Sequence, residues 1–330
     1  MTAGSHCLWD EGGHRPPLQF SAQGKDVMLS KRIFIFAIAL TAFAFAQTPA
    51  APQAGRGARG GGNDPWAGMK KLLAVADVQT GFHHDSISHA LAVVEKLGRE
   101  SGAYVTMVRT DSQLITKQQI AGQGTRYTGR SVNARTLDFY DAVFLLPSGA
   151  GSLTDQQKSD LLSFVRDDGK GIVVGHAATV AYYEWPEFGE LIGGWMDSEF
   201  NANASVIVED PKFPGADAFG GSTFMFNDQH PVLKAPYSRE KIHVIMRLDP
   251  EKLDAANRAR RADGDFPVVW ARQYGKGRMY NVGWGHPDTT WDDPRFQKMV
   301  LEGIKWALGL TSADVTPKAF PGASTPGGKK

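Results

Sequence analysis

Gly171-Ile172-Val173-Val174-Gly175-His176-Ala177-Ala178-Thr179 is the stretch whose reading decides the fold. Ile172, Val173 and Val174 form a short β-branched run without polar alternation. That is the pattern of a strand covered on both faces, as in the middle of a parallel sheet. Gly175 lets the chain turn where a side chain would clash. His176 then leaves the carboxyl end of the strand, the edge at which open α/β sheets bind ligands.

Working outward, the same alternation of strand and helix repeats. Lys71 to Val78 reads as a first strand that runs out into Phe82-His83-His84-Asp85. Asp85 or Ser86 can cap a helix whose apolar positions Ile87, Leu91, Val94 and Leu97 keep helical spacing, and Gly102 ends it. Tyr104 to Arg109 follows as a second strand, so this βαβ unit should be parallel with a right-handed crossover. Thr110 to Thr136 is polar and patternless, and reads as loops with one short helix. Tyr140 to Leu146 is a third strand ending in Pro147-Ser148-Gly149-Ala150-Gly151, and Thr154 with Gln157 makes a capping box for the next helix.

Beyond His176, Pro186 suits the first turn of a short helix. Ser205 to Glu209 and Ile242 to Leu248 read as strands, with Asp228-Gln229-His230-Pro231-Val232 in the loop between them. Pro267 to Arg272 and Arg278 to Val282 read as a hairpin about Tyr274-Gly275-Lys276-Gly277, followed by Trp284-Gly285-His286-Pro287-Asp288. The last helix takes Asp292 or Asp293 as its cap and buries Phe296, Met299, Val300, Ile304 and Ala307. The expected fold is α/β: one flavodoxin-like three-layer domain with a mainly parallel sheet and an additional hairpin near the C-terminus.

With 42% hydrophobic and 22% charged residues in 330, the chain has the composition of a globular protein with room for one large core. A formal charge of +1 supplies no field for nucleic acid. The one cysteine, Cys7, precedes the folded part, which therefore has no disulfide, thiolate metal site or thiol nucleophile. Lys31 and Arg32, the apolar run Ile33 to Phe45 and the Ala44-Phe45-Ala46 site read as a signal peptide over residues 28–46. The run is short for a membrane span, so the expected product is exported, periplasmic or secreted, without a stable membrane anchor after cleavage. Residues 1–27 do not fit ahead of such a signal and are expected to be a mis-called N-terminal extension. Residues 47–68 read as a disordered linker, 69–310 as the domain and 311–330 as a disordered tail.

Placed on a parallel sheet, His83, His84, Ser148 and His176 all leave carboxyl ends of strands, and His286 follows a C-terminal strand in the same way. These four histidines are the candidate catalytic groups. Ser148, Glu184, Trp185, Asp197, Glu199, Trp284 and Asp288 are the candidate substrate-binding groups. Three chemistries compete. Acid–base work would pair histidine with Asp85, Glu184, Asp197, Glu199, Asp228 or Asp288. A divalent metal is the disfavoured alternative, since no H-E-x-x-H or similarly compact signature is present, and no cofactor is expected. Plain recognition would use Trp185, Trp195, Trp270, Trp284 or Trp291 as stacking surfaces for sugar rings, although Trp270 and Trp306 read as core. Ser148 lies in Pro-Ser-Gly-Ala-Gly rather than G-x-S-x-G, which argues against a serine hydrolase. Gly149-Ala150-Gly151 lacks the pattern of a phosphate loop and reads as a tight turn.

Several segments, taken in order, resemble the ThuA-like family, named for trehalose utilisation. They are Phe82-His83-His84, Gly175-His176-Ala177-Ala178, Glu184 to Leu191 with Gly193-Gly194, and Pro267 to Trp270 with Tyr274 to Arg278. Gly285-His286, Trp291, Asp293-Pro294, Phe296 and Gly303 to Gly309 complete the set, and the resemblance spans about Lys70 to Leu310. It implies a class I glutamine amidotransferase-like fold and a place in carbohydrate metabolism, with a small-molecule sugar or glycoside as partner. In the amidotransferases the strand-to-helix elbow carries a cysteine; His176 and Ala177 stand there in this chain, which argues against a Cys-dependent amidotransferase. Two segments depart from the family pattern. Trp195-Met196-Asp197-Ser198-Glu199 lacks the histidine that many members carry after Gly-Gly. Phe224 to Pro231 lacks their Asp-Glu pair. If the missing groups are catalytic, the resemblance implies altered activity or none. The expected function is action on, or binding of, a sugar in a histidine and carboxylate cleft, as a hydrolase, lyase or isomerase. The alternative is a non-catalytic carbohydrate-binding domain. The sequence is compatible with a homo-oligomer and calls for no nucleic-acid partner.

Overall fold

A computed structural model describes residues 66–122 and 135–321. The expected extension, signal peptide and most of the linker lie outside the described residues, as do residues 322–330. In chain order the elements are β1 (Lys70–Thr80), α1 (Ile87–Ser101), β2 (Tyr104–Arg109), β3 (Ala142–Gly149), α2 (Asp155–Arg166), β4 (Gly171–Val174), α3 (Pro186–Ile192), β5 (Trp195–Val208), β6 (Thr223–Lys234), β7 (His243–Leu248), α4 (Ala255–Arg258), β8 (Pro267–Tyr274), β9 (Gly277–Val282), α5 (Asp288–Asp292) and α6 (Pro294–Ala307).

The nine strands make one sheet in the order β2-β1-β3-β4-β9-β8-β7-β5-β6. From β2 to β9 every neighbour is parallel. From β9 to β6 every neighbour is antiparallel. The parallel half is the flavodoxin-like part, and β1 shows why it forms three layers. Successive side chains of a strand point to opposite faces. Leu72, Ala74 and Ala76 pack with α1 and α6 on one face, and Leu73 and Val75 pack with α2 and α3 on the other. Ile172, Val173 and Val174 are wholly buried, as their unbroken apolar pattern requires.

The hairpin expected near the C-terminus is present, and it is the joint of the sheet rather than an appendage. β9 lies parallel beside β4 as the fifth parallel strand, and β8 turns back from it to begin the antiparallel half. Two boundaries differ from the sequence reading. β5 begins at Trp195 rather than Ser205, and Asp228 to Val232 belongs to β6 rather than to a loop. Pro231 falls within it. β6 is the sheet's edge, where a proline need not break a ladder. Only Val206 to Val208 of β5 pair with β7. The rest of β5 pairs with β6 alone, so the two strands form a long ribbon.

The expected disordered tail is placed as far as residue 321. Arg278 donates to the Thr311 carbonyl at 2.9 Å, and the Thr316 carbonyl lies 2.8 Å from His243 Nδ1. Ala313 and Val315 pack on the core, and the Phe320 ring lies under the guanidinium groups of Arg239 and Arg247. These apolar and cation–π contacts offset the entropy of ordering a segment whose Pro and Gly content suggested none.

Helix α6 crosses β9 where Gly303 meets the fully buried Tyr280, whose ring stacks on Phe213. A Cβ at Gly303 would overlap the Tyr280 ring. Gly303→Ala should therefore cost about 1–3 kcal/mol through forced repacking. A chemical denaturation series reads this directly, and an unchanged midpoint would show that the helix can lift without penalty.

Candidate functional site

The carboxyl ends of β1, β3, β4 and β9 share one edge, and three of their exits bring imidazoles together. His84 follows β1, His176 follows β4 and His286 follows β9. Their ring centroids are 5.1 Å (His84–His176), 5.0 Å (His84–His286) and 5.1 Å (His176–His286) apart, close to an equilateral triangle. The rings meet edge to face, at 83°, 86° and 68°. One nitrogen from each lies within 4.8 Å of the others.

Local sequence explains each position. Gly175 is required because a Cβ there would overlap the Leu146 side chain, and Ala177 and Ala178 continue a short 3₁₀ turn that seats His176. Ser86 stands at the cap position of α1, yet its hydroxyl donates to the Gly285 carbonyl at 3.0 Å instead of closing the helix. The start of α1 is thereby tied to the His286 loop. Beside β3, the buried Asp77 accepts from the Ser152 amide (2.8 Å), the Ser152 hydroxyl (2.9 Å) and the Tyr182 hydroxyl (3.2 Å). Tyr182 itself holds a left-handed φ of 56°, and its ring fills the space a side chain at Gly151 would need.

Protonation follows from these contacts. The Gly283 carbonyl, 3.2 Å from His176 Nδ1, can only accept, so Nδ1 carries the proton and Nε2 presents a lone pair. His286 Nδ1, 3.3 Å from that Nε2, is then the donor. Burial lowers the His176 pKa to about 4, helped by the His286 ring and only partly opposed by Gly283 and Gln229. Burial and then the two neighbouring rings likewise lower His84 to about 4. Both are neutral at physiological pH.

The ribbon of β5 and β6 closes the other side. Asp228, 3% exposed, accepts hydrogen bonds from the backbone of Gln229, Gly285 and His286 and from the Thr290 hydroxyl. Burial pushes its pKa up, and the four donors offset this in part. The neighbouring Gln229 side chain reaches His176. Gln229 is paired with Asn201, and Asn227 with Asn203, so these amides share one face of the ribbon. His84, Ser86, Ser148, His176 and Gly285 line a narrow cavity of about 10 Å³. Asn203, Met225, Asn227, Thr289, Thr290 and Arg295 line a separate groove of about 330 Å³ on the ribbon. A cavity of similar size, about 330 Å³, lies at the opposite, amino edge of β1 and β2 around Lys71 and Tyr104. It contains no histidine and lies at the edge away from which open sheets bind.

Of the residues singled out from sequence, His84, His176, His286 and Ser148 are brought together. His83 is exposed and outside the triangle. Trp284 is 0% and Trp185 5% exposed. Trp284 donates to His230 at 3.1 Å, and Trp185 stacks on Phe188, so both are core and neither offers a face to a sugar. Glu184 lines a separate groove with α2. Asp197 is exposed and lies 3.7 Å from Lys234, while Glu199 and Asp288 are exposed, Glu199 on the ribbon face that carries Gln229. The expected histidine–carboxylate pairing is absent from the triangle. Among the described residues such ring–carboxylate pairs are His89–Asp292 and His243–Asp210. Sequence reasoning missed Asp77, hidden inside a strand pattern, and Gln229, whose type carries no chemical signature.

His230 stiffens the ribbon. Its Nε2 lies 2.9 Å from the Ala202 carbonyl and its Nδ1 accepts from Trp284, which requires a neutral ring. Burial lowers its pKa. The unfolded chain binds a proton near pH 6.5 and the folded chain only at lower pH. Stability present above about pH 6.5 is therefore lost as pH falls towards the folded value, by at most about 1.4 kcal/mol per unit from this group. Denaturation midpoints between about pH 7 and 5 should fall less steeply in His230→Gln, whose amide can keep both bonds; equal slopes would remove His230 from the acid response.

Comparison with known proteins places this geometry. No curated protein matches the chain. Among solved structures, a ThuA-like protein from Bacteroides uniformis superposes with a TM-score of 0.53 at 18% identity, covering 75% of this chain and 95% of that one. A ThuA-like protein from Parabacteroides merdae does so with 0.53 at 18%, covering 76% and 93%. At that identity they share the fold. The family model described as ThuA, trehalose utilisation, matches residues 72–307, and the chain belongs to that family.

Proposed function

We propose that this protein is a carbohydrate-processing enzyme whose reacting centre is the triangle of His84, His176 and His286. The observation that carries this reading is the convergence of three imidazoles from three separate strand exits, two of them held neutral. Family membership supports a carbohydrate role. The cavity beside His84 and His176, about 10 Å³, is far too small for a sugar, so the sugar would lie outside it, along the ribbon. Asn203, Asn227 and Gln229 supply donors and acceptors for hydroxyls. Phe82, 69% exposed and 4.9 Å from the His84 ring, offers an apolar lip for a sugar face.

His84 and His286 are the partly exposed members of the triangle, and His176 is buried. With its Nδ1 proton directed at His176, its Nε2 is a lone pair able to take a proton from a hydroxyl or an activated carbon. His176 and the Gly283 carbonyl fix the ring's tautomer from behind. A non-catalytic sugar-binding domain is the weaker reading, because Trp185, Trp284 and Trp291 are buried and form no platform. Export, from the signal read in residues 28–46, is kept as part of the proposal.

The test is a screen of the purified chain against oxidised and unoxidised disaccharides, with and without divalent metal. On the substrate found, His286→Ala should lower kcat by at least about 100-fold with the melting temperature little changed. Asn227→Ala should raise KM and leave kcat near wild type. Unchanged turnover in His286→Ala, or sugar binding without turnover across the panel, would contradict an enzymatic role.

A further inference from the structure

We propose that His84, His176 and His286 bind one divalent transition-metal ion of the zinc class, leaving a further coordination position for water or a substrate oxygen. The inference rests on the geometry of the three rings and not on the identity of the substrate.

Three observations lead to it. First, the near-equilateral arrangement, with rings edge-on and a nitrogen from each within 4.8 Å, is what three ligands on one face of an ion require. Nitrogens bound at about 2.0–2.1 Å in tetrahedral geometry lie about 3.3 Å apart. His286 Nδ1 and His176 Nε2 are 3.3 Å apart. Second, His176 has the back contact typical of a ligating imidazole. Its Nδ1–H donates to a backbone carbonyl, which fixes the tautomer with the Nε2 lone pair directed inward. Third, His84 Nδ1 is buried without a hydrogen-bond partner, although its neighbours are well satisfied. Buried polar atoms are rarely left so, and an ion or a water nearby is the usual reason.

The donor set narrows the ion. Three imidazoles without thiolate or carboxylate suit zinc, cobalt, nickel or copper and do not suit magnesium or calcium, which take oxygen ligands. His176 needs no proton change to bind. His286 Nδ1 becomes a donor to metal when its proton moves to Nε2, a tautomer exchange that leaves the ring neutral. The loops are already held by Asp228, Ser86 and Gly283, so little ordering accompanies binding. An ion here would turn the triangle from a proton carrier into a Lewis-acid centre.

Untagged chain, stripped with chelator, is titrated with Co²⁺ and Zn²⁺ and, for contrast, Mg²⁺, with no sugar present. Calorimetry should give about one equivalent of Co²⁺ or Zn²⁺ per chain and no response to Mg²⁺, and cobalt should add visible absorption of a low-coordinate site. His84→Ala and His176→Ala should both lose the site, and His83→Ala should keep it. Circular dichroism and melting of the metal-free variants confirm folding; His84→Ala is the safer probe, because His84 is only half-buried whereas His176 is buried. No binding of either ion by wild type would overturn the proposal, as would binding that persists in His84→Ala or disappears in His83→Ala. Failure of the sugar screen leaves these outcomes untouched.

Discussion

One buried carboxylate sets the geometry on which the site depends. Asp228 lies on β6, at the far edge of the sheet from the parallel half, yet it binds the backbone of Gly285 and His286 just past β9, at 3.0 and 3.2 Å. The Thr290 hydroxyl and the Gln229 amide complete its shell at 2.6 and 2.7 Å. Each of these donors would cost about 1–3 kcal/mol if left buried and unpaired. The β5–β6 ribbon is thus fastened back onto the strand exits, which fixes His286 relative to His176 and brings Gln229 to the same place.

The sheet makes this possible by changing character at β9. Parallel strands deliver their carboxyl ends to one edge, which is how His84, Ser148 and His176 come together from distant parts of the chain. An antiparallel extension supplies a ribbon long enough to fold over that edge. β9 belongs to both halves, and its exit carries His286. The features that hold the exits, Gly175 against Leu146 and Asp77 against Ser152 and Tyr182, are packing and hydrogen-bonding devices with no chemistry of their own.

Much of the parallel half was legible because its signals are local. Ile172 to Val174 reads as a covered strand, Thr154 and Gln157 form the expected capping box, and Pro186 begins α3. The histidines were legible as strand-end residues, but their arrangement was not, since it depends on strand order and on loops fixed by distant partners. His83 and His84 are adjacent in sequence and only one of them enters the triangle. Trp284 and Trp185 look like sugar platforms as residue types and are core by position. Asp228 was legible as an acidic residue and not as a strand residue, because its partner Ala202 lies in the part of β5 that was not itself read as a strand. Three histidines gathered from separate strand exits leave no compact motif in the sequence.

The central claim is that three strand exits converge to make one reacting centre. Anomalous diffraction from crystals of the full chain soaked with Co²⁺, recorded at the cobalt edge, tests it most directly. The expected result is a single strong peak about 2.0–2.2 Å from one nitrogen each of His84, His176 and His286. A map with no peak at the triangle, or with the three rings turned away from one another, would contradict it.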